Sequence, residues 1–494
     1  MIKQCGLGIL LLYSVVSTAS SVTPAYVPGG SVSPVSLYDA MSPMPQLNGP
    51  GWWYFVSLLH DQQNSPHSLQ LTLIRLNFGS TMYGVGGIGF TFNDSQGNTE
   101  YLWNMYPNAY AMLNYPIGPL TSTPASQSDF KLQIQADHSQ ISPGFLYQFS
   151  HDSTDNLMAG QIGAKYNLTT QGVAEIGVAQ NNPQYVQYQL QMTLQDQRGL
   201  VPEGYNGFVG TPFSTNPALL ETWEMAMPNM HVVQWAMTIT PMGKVMPTSP
   251  VQKIMAFTGQ TNSSDHMWLD RQIENQNPPA DYLNEVVQQK IEGDRTLRAQ
   301  NNNMKQMYHG TWMAFCLDKK PFKNVCGDAT AFWQHGVTTS QMDSDQNATG
   351  GFMNLFTPDS NAQQGAPMQV GSTLTETLSI NGAKKNLPYH IQNNASGLVQ
   401  SPITKNFYDK TVTITIRKNT LFSAILDQLS GFVKQDKQYV LKFDALSGKT
   451  ENVIFSNNDG YYEGASTVSL CTADKKSCQP VGTGFMEQMG YSAQ

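Results

Sequence analysis

Charge is scarce in this chain: Asp, Glu, Lys and Arg make up 13% of its 494 residues, against roughly 25% in an average soluble protein. Asn, Gln, Ser, Thr and Gly take their place, a composition that suits β-rich exported chains better than helical cytosolic ones. The formal net charge of −8 offers no basic patch, so nucleic-acid binding is excluded. The acidity is too weak to name a cationic partner, and solubility accounts for it. No apolar run approaches the roughly 20 residues that a membrane-spanning helix needs. Also missing are a Gly-x-Ser-x-Gly elbow, a His-Glu-x-x-His helix, a Walker loop and a dinucleotide fingerprint. The nine histidines are scattered without ligand spacing, so no cofactor and no metal is expected.

Cysteine is nearly as sparse, with five in the whole chain. Cys5 lies in an N-terminal stretch that reads as a secretory signal peptide over residues 1–21. Lys3 precedes an apolar run from Leu7 to Val16, followed by small residues Ser17 to Ser21, with cleavage near Ala19. The remaining four cysteines are an even number in an oxidising compartment. Cys316 and Cys326 flank one hairpin-like segment, and Cys471 and Cys478 flank another. Two local bridges, Cys316–Cys326 and Cys471–Cys478, are the simplest of three connectivities. Zinc is the competing reading, but neither pair has knuckle spacing or a suitably placed histidine.

What the chain does have is aromatic and β-branched residues in short runs. Gly51-Trp52-Trp53-Tyr54-Phe55 opens a run to Leu59, turns through His60 to His67, and returns as Leu69 to Arg75. This pattern predicts a β-hairpin. Because strand side chains alternate, Trp52 and Tyr54 share one face and Trp53 and Phe55 the other. A strand bulky on both faces is buried on both, as in a barrel wall with a filled or ligand-holding interior.

The length exceeds the roughly 250–300 residues of a single core, so two domains are expected. An extended Pro/Ser/Gly-rich arm covers 22–50, a first domain 51–210 and a second 211–494, with Gly/Pro-rich Gln197 to Pro217 joining them. Strands are predicted at Tyr83–Phe92, Phe130–Gln135, Phe145–Phe149, Tyr185–Leu194, Met230–Ile239, Lys253–Phe257, Trp312–Leu317, Thr411–Ile416 and Tyr439–Phe443. Helices are predicted at Asp281–Gln306, read as an insertion, and at Asn419–Val433. A faint repeat relates Trp52-x-x-Phe55, followed by Asp61, to Trp312-x-x-Phe315, followed by Asp318.

Three separated segments together resemble one family. Trp52-Trp53-Tyr54-Phe55 with its return strand is similar to the Glu-Trp-Trp-Tyr-Phe hairpin of the lipocalin-like AttH and carotenoid hydratase (CrtC) proteins. His266-Met267-Trp268-Leu269-Asp270-Arg271-Gln272 resembles their central Trp-x-Asp segment. Tyr461-Tyr462-Glu463-Gly464-Ala465 and Val481 to Tyr491 are similar to their C-terminal motifs. The chain departs from the pattern at Gly51, where Glu is usual, at Tyr462, where Trp is usual, and at Glu221 to Met225. The resemblance implies an all-β fold with minor helices, built as two lipocalin-like (calycin) β-barrels packed together around an apolar cavity near their junction.

Three functions follow from the resemblance and the composition. The first is binding of a hydrophobic small molecule such as a lipid, isoprenoid or polyketide-like ligand. The second is hydration or cyclisation of such a molecule, with Asp270 as general acid. The third is a structural or interaction protein whose barrels are filled. Protonating an alkene needs a carboxylic acid kept neutral by burial, and aromatic faces to stabilise the cation. Trp52, Trp53, Tyr54, Trp268 and Tyr462 are the candidate aromatic ligand-binding residues, with core packing as the alternative for the first cluster. Asp270 could instead be an ion pair with Arg271. Glu463 reads as a structural carboxylate, and His266 as a pocket acid/base or a plain strand histidine.

Overall fold

The computed structural model describes residues 51–489 apart from connecting segments, the longest being 105–116, 274–308, 334–349, 357–376 and 418–437. The expected signal, arm and two helices lie outside the described residues. Among the described residues there is no helix. The first sheet contains β1 (Gly51–His60), β2 (Pro66–Phe78), β3 (Thr81–Asn93), β4 (Thr99–Trp103), β5 (Ile117–Ser122), β6 (Lys131–Ala136) and β7 (Phe145–His151). It continues with β8 (Lys165–Ile176), β9 (Gln184–Asp196), β10 (Val201–Pro202), β11 (Phe208–Gly210), β12 (Glu221–Pro241), β13 (Met255–Gln260) and β14 (His266–Ile273). Hydrogen bonding runs β12-β14-β1-β2-β3-β4-β8-β9 and returns to β12, closing an eight-stranded barrel. β5, β6 and β7 bridge the other halves of β3 and β8.

The turn joining β1 to β2 follows from its residues. The Asp61 carboxylate accepts the backbone N–H groups of Gln63 at 2.9 Å and Ser65 at 2.7 Å. Asn64 takes the left-handed conformation, at φ 61°, which Asn tolerates better than most residues. Strand alternation then sorts the side chains. On β9, Val186, Tyr188, Leu190, Met192 and Leu194 are buried while Gln187, Gln189 and Gln191 are exposed. The inner residues fill the barrel with Trp53, Phe55, Phe90, Tyr147 and Tyr166. Several of the inner polar groups pair in place: the Tyr147 and Tyr188 hydroxyls lie 2.7 Å apart, and the Ile88 N–H donates to Asn104 at 2.8 Å. The interior of this barrel is a packed core.

The second sheet comprises β15 (His309–Leu317), β16 (Val325–Trp333), β17 (Gly350–Phe356), β18 (Thr377–Ile380), β19 (Ala383–Asn386), β20 (Tyr389–Asn393), β23 (Thr411–Arg417), β24 (Gln438–Ala445), β25 (Glu451–Phe455), β26 (Asp459–Cys471) and β27 (Cys478–Met489). A separate pair, β21 (Leu398–Gln400) and β22 (Phe407–Asp409), precedes β23. The path β19-β18-β17-β16-β15-β27-β26-β24-β23-β20 stays open among the described residues, a half-barrel around Met313, Phe315, Val412, Ile414, Phe443 and Met486. Cys316 faces Cys326 across β15 and β16, and Cys471 faces Cys478 across β26 and β27. Both pairs are disulfide-bonded.

The domain boundary expected at residue 210 is corrected by the pairing. β12 bonds to β9 and β14, and β14 bonds to β1, so 221–273 belong to the first barrel. The change of sheet falls between 273 and 309. The Gly/Pro-rich stretch misled because it connects strands of one barrel and does not separate two. With this boundary the repeat gains a structural counterpart. Each unit pairs its first strand with its last, β1 with β14 and β15 with β27. Trp52 and Trp312 border the contact between the units, while Phe55 and Phe315 enter their own cores.

Within the second sheet, β15 and β27 approach each other closely through glycine. A Cβ on Gly482 would lie 2.0 Å from the Cys316 carbonyl oxygen and 2.8 Å from the Leu317 Cα, and backbone atoms cannot rotate away. Gly482→Ala is expected to destabilise the protein by about 1–3 kcal/mol, read as a lower urea midpoint with an unchanged slope. An unshifted midpoint would refute this packing of β15 on β27.

Candidate functional site

β1 is buried on both sides because it walls the barrel and also faces the second sheet. Tyr54, Val56 and Leu58 leave the barrel core and pack with Trp268, Ala226, Ala314, Cys316, Cys326, Ala465 and Phe485. The seam is apolar at its centre, with Trp52 and Trp312 partly buried at its edge. The Tyr54 ring sits 5.8 Å from Trp312 and 6.4 Å from Phe485, and Trp268 lies 6.2 Å from Trp312.

Carboxyl groups from four strands meet in this apolar setting. Asp270 on β14 stands opposite Tyr54 in register, on the same face as Trp268. From the second sheet, Glu463 on β26 stands opposite Glu487 on β27, and Glu487 stands opposite Trp312. Asp328 on β16 stands opposite Ala314. Asp270, Asp328 and Glu463 are each below 5% exposed, a rare state for acids unless they are paired or neutral. Among the described residues, none of Asp270, Glu463 and Glu487 forms an ion pair.

Burial therefore sets their protonation. It pushes the Asp270 carboxyl up to about 8; the amide of Gln272, a hydrogen-bond donor to Oδ2, opposes this, and the nearby Asp328 and Glu487 add to it. Burial likewise raises Glu487 to about 7. Glu463 is held well above the carboxylate range by burial and then by Glu487. The Tyr54 hydroxyl donates to Glu463 across the seam, and burial followed by these two glutamates keeps the phenol protonated. The Asp270 Oδ1 atom is buried and has no hydrogen-bond partner. At neutral pH Asp270 is thus a largely neutral acid with one oxygen outside any hydrogen bond, a state that permits proton donation.

The sequence-predicted residues divide between three places. Trp52, Tyr54, Trp268 and Asp270 lie at the seam. Trp53 faces the barrel interior, stacked under Arg271, because it has the opposite parity to Trp52. Tyr462 enters the core of the second sheet, where its hydroxyl donates to the Ser447 carbonyl at 2.6 Å and its ring lies 5.6 Å from Tyr408. His266 shares Asp270's parity but sits four residues away, roughly 13 Å along the strand, hydrogen-bonded to Asn229 at 2.6 Å. The expected alternative of an Asp270–Arg271 ion pair does not form, since adjacent strand residues point to opposite faces. Sequence reasoning missed Glu487 and Asp328 as members of this cluster. The available signal was parity: Asp328 shares its face with Cys326, and Glu487 shares its face with Phe485.

No protein-family profile matches the chain, and no curated protein matches it. Among solved structures it is similar to the putative AttH of Nitrosomonas europaea, with 14% identity, a TM-score of 0.46, and coverage of 96% of this chain and 100% of that one. Kievitone hydratase from Nectria haematococca is similar at 14% identity and a TM-score of 0.43, covering 96% of both chains. CghA is similar at 10% identity and a TM-score of 0.44, again covering 96% of both. At these values the likeness carries no statement about function.

The carboxyl cluster makes stability depend on pH. A carboxyl whose folded value lies above its unfolded value binds more protons folded than unfolded. Its contribution is complete below the unfolded value, near 4, and is lost as pH rises through the folded value. For Asp270 the loss runs from about 4 to about 8, with a slope of at most about 1.4 kcal/mol per pH unit. Urea denaturation across that window is expected to show falling stability, with a shallower fall in Asp270→Asn. Parallel curves for the two proteins would show that Asp270 ionises normally.

Proposed function

We propose that this chain is an exported lipocalin-like protein of the AttH and carotenoid hydratase kind. In this reading it takes up a hydrophobic small molecule, isoprenoid or polyketide-like, at the seam and acts on it by general-acid catalysis with Asp270. The observation that carries the reading is the neutral, fully buried Asp270 carboxyl with an unpartnered oxygen beside the seam aromatics. The ordered sequence motifs support the family, and the two disulfides fit an oxidising compartment. The packed interior of the first barrel is the feature expected of the structural-protein reading, and the seam is the junction where the resemblance implies an apolar cavity.

The proton of Asp270 adds to one carbon of an alkene, leaving the adjacent carbon cationic. Cation–π attraction from Trp268, Trp312 and Tyr54 offsets that charge by roughly 0.5–2 kcal/mol per ring. Water then adds, giving an alcohol after losing a proton, or a second double bond of the ligand attacks, closing a ring and moving the cation to another carbon, which loses a proton to form a new double bond. Either route returns one proton, which restores the acid. Gln272 steadies the transient carboxylate by the hydrogen bond it already donates. His266, Trp53 and Tyr462 take no part in this scheme.

A second reading, ligand binding without turnover, is favoured by the bonds that cross the seam. Tyr54 donates to Glu463, and the Ala465 N–H donates to the Ser68 hydroxyl at 2.9 Å, so the neutral acids also serve as interface hydrogen-bonding groups.

Native mass spectrometry after organic extraction should identify an apolar molecule carried by the protein. Incubating that molecule in heavy water is expected to place deuterium on an alkene carbon. Asp270→Asn should slow this by about 10²-fold or more while binding persists. Binding by the natural protein without deuterium uptake would leave only the second reading, and failure to bind any apolar molecule would end both.

A further inference from the structure

The wall of the first barrel that lies away from the seam has a notch in it. Around the ring, β8 is four strands from β1 in either direction. β7 pairs with β8 only as far as Gln171, opposite Leu146, and β4 meets β8 at Glu175, opposite Trp103. From 172 to 174, β8 is therefore paired with β9 alone among the described residues. Gly144 and Gly172 add no side chains here. A recess of about 410 Å³ opens between the end of β6, the start of β7 and the strands β8, β9 and β12. That volume is within the roughly 300–1,000 Å³ of small-molecule sites.

Such sites are commonly apolar, whereas this one is lined by amides and hydroxyls. Register lays two rows of side chains across it. Gln171 stands opposite Gln189, and Gln189 opposite Thr238; two residues along, Val173 stands opposite Gln187, and Gln187 opposite Thr240. Neighbours within a row are about 4.8 Å apart, and the rows are about 7 Å apart. The alternation that buries Val186, Tyr188 and Leu190 in the barrel turns Gln187 and Gln189 outward, where both are exposed.

These groups select by what they offer and what they lack. A glutamine amide carries two donors and an acceptor oxygen, and a threonine hydroxyl both donates and accepts. None of the described residues lining the recess is Asp, Glu, Lys or Arg, so an ion would enter without a compensating charge. A wholly apolar molecule would leave the amides unpaired. A neutral molecule rich in hydroxyls answers both donors and acceptors. Phe145 and Val173, buried members of the same lining, supply apolar surface for its carbon-bound hydrogens.

We propose that this recess binds a neutral oligosaccharide, held by the amides of Gln171, Gln187 and Gln189, on the barrel wall opposite the Asp270 seam. With the two rows one outward position apart, consecutive sugar rings meet separate glutamines. The ladder fixes the backbone beneath these side chains, so binding has only the side chains left to order.

The full-length protein is applied to an array of neutral oligosaccharides built on glucose, mannose, galactose and N-acetylglucosamine, with sialylated and sulfated chains for comparison. The strongest binder is then titrated by calorimetry. A neutral oligosaccharide is expected to bind, and more strongly than its charged counterparts. The double variant Gln171→Ala/Gln189→Ala removes two amides from one row and should weaken that binding about tenfold or more. Both positions are exposed, so the melting temperature should stay where it is. Gln191→Ala, two residues further along β9 and outside the recess, is expected to leave the Kd unchanged. Absence of binding to every neutral oligosaccharide, or a preference for sialylated or sulfated chains, would overturn the proposal. So would an unchanged Kd in the double variant, or an equal loss in Gln191→Ala. The seam acid lies on the other wall, so the deuterium experiment is read independently of these outcomes.

Discussion

β1 and β14 are walled in on both sides, and that constraint organises the rest of the molecule. A strand places successive side chains on opposite faces, and here each face opens onto a different core. Trp53 and Phe55 fill the barrel, while Tyr54 and Val56 fill the seam with the second sheet. Neither strand has a solvent face on which to put a charge cheaply. Asp270 and Arg271 are nevertheless neighbours in sequence, and the sheet separates them into two apolar compartments, each with its own electrostatic problem.

The two compartments solve that problem differently. On the seam side, Asp270, Glu463 and Glu487 converge with no ion-pair partner among the described residues, and neutralisation by protonation costs less than burying charge. The Tyr54–Glu463 hydrogen bond joins residues 409 positions apart in the chain, so the same neutral acids help to hold the units together. On the barrel side, a guanidinium cannot readily shed its proton. Arg271 is instead supported by the Trp53 ring and two carbonyls, with part of its donor capacity unused.

Much of the fold was legible in residue pattern. The β1–β2 hairpin followed from aromatic runs around an Asp/Asn/Ser turn, and the predicted strands that fall on described residues each overlap an observed strand, with Phe130–Gln135 and Lys253–Phe257 starting one and two residues before β6 and β13. The cysteine pairing followed from hairpin-like spacing, since cross-strand neighbours are the partners nearest in space. The boundary at residue 210 was misread because composition reports local chain flexibility, whereas sheet membership depends on pairing between β12, β14 and β1, which are far apart in sequence. The aromatic site was only half legible. Parity separated Trp52 and Tyr54 from Trp53 and Phe55, but nothing local says which face meets a core and which meets a second domain.

The sequence by itself determined strand positions, the parity of every side chain along them, the cysteine neighbours and the resemblance that singled out Asp270. These depend on backbone periodicity and short spacings, which any stretch of chain carries within itself. Only the tertiary structure decided that Asp270 faces Glu487 and Asp328 while Arg271 faces Trp53 and Arg75. That choice rests on long-range register between strands and on the packing of one sheet against another. The pKa of a buried acid follows from that register, because desolvation and neighbouring charge are properties of the assembled surroundings and not of the residue.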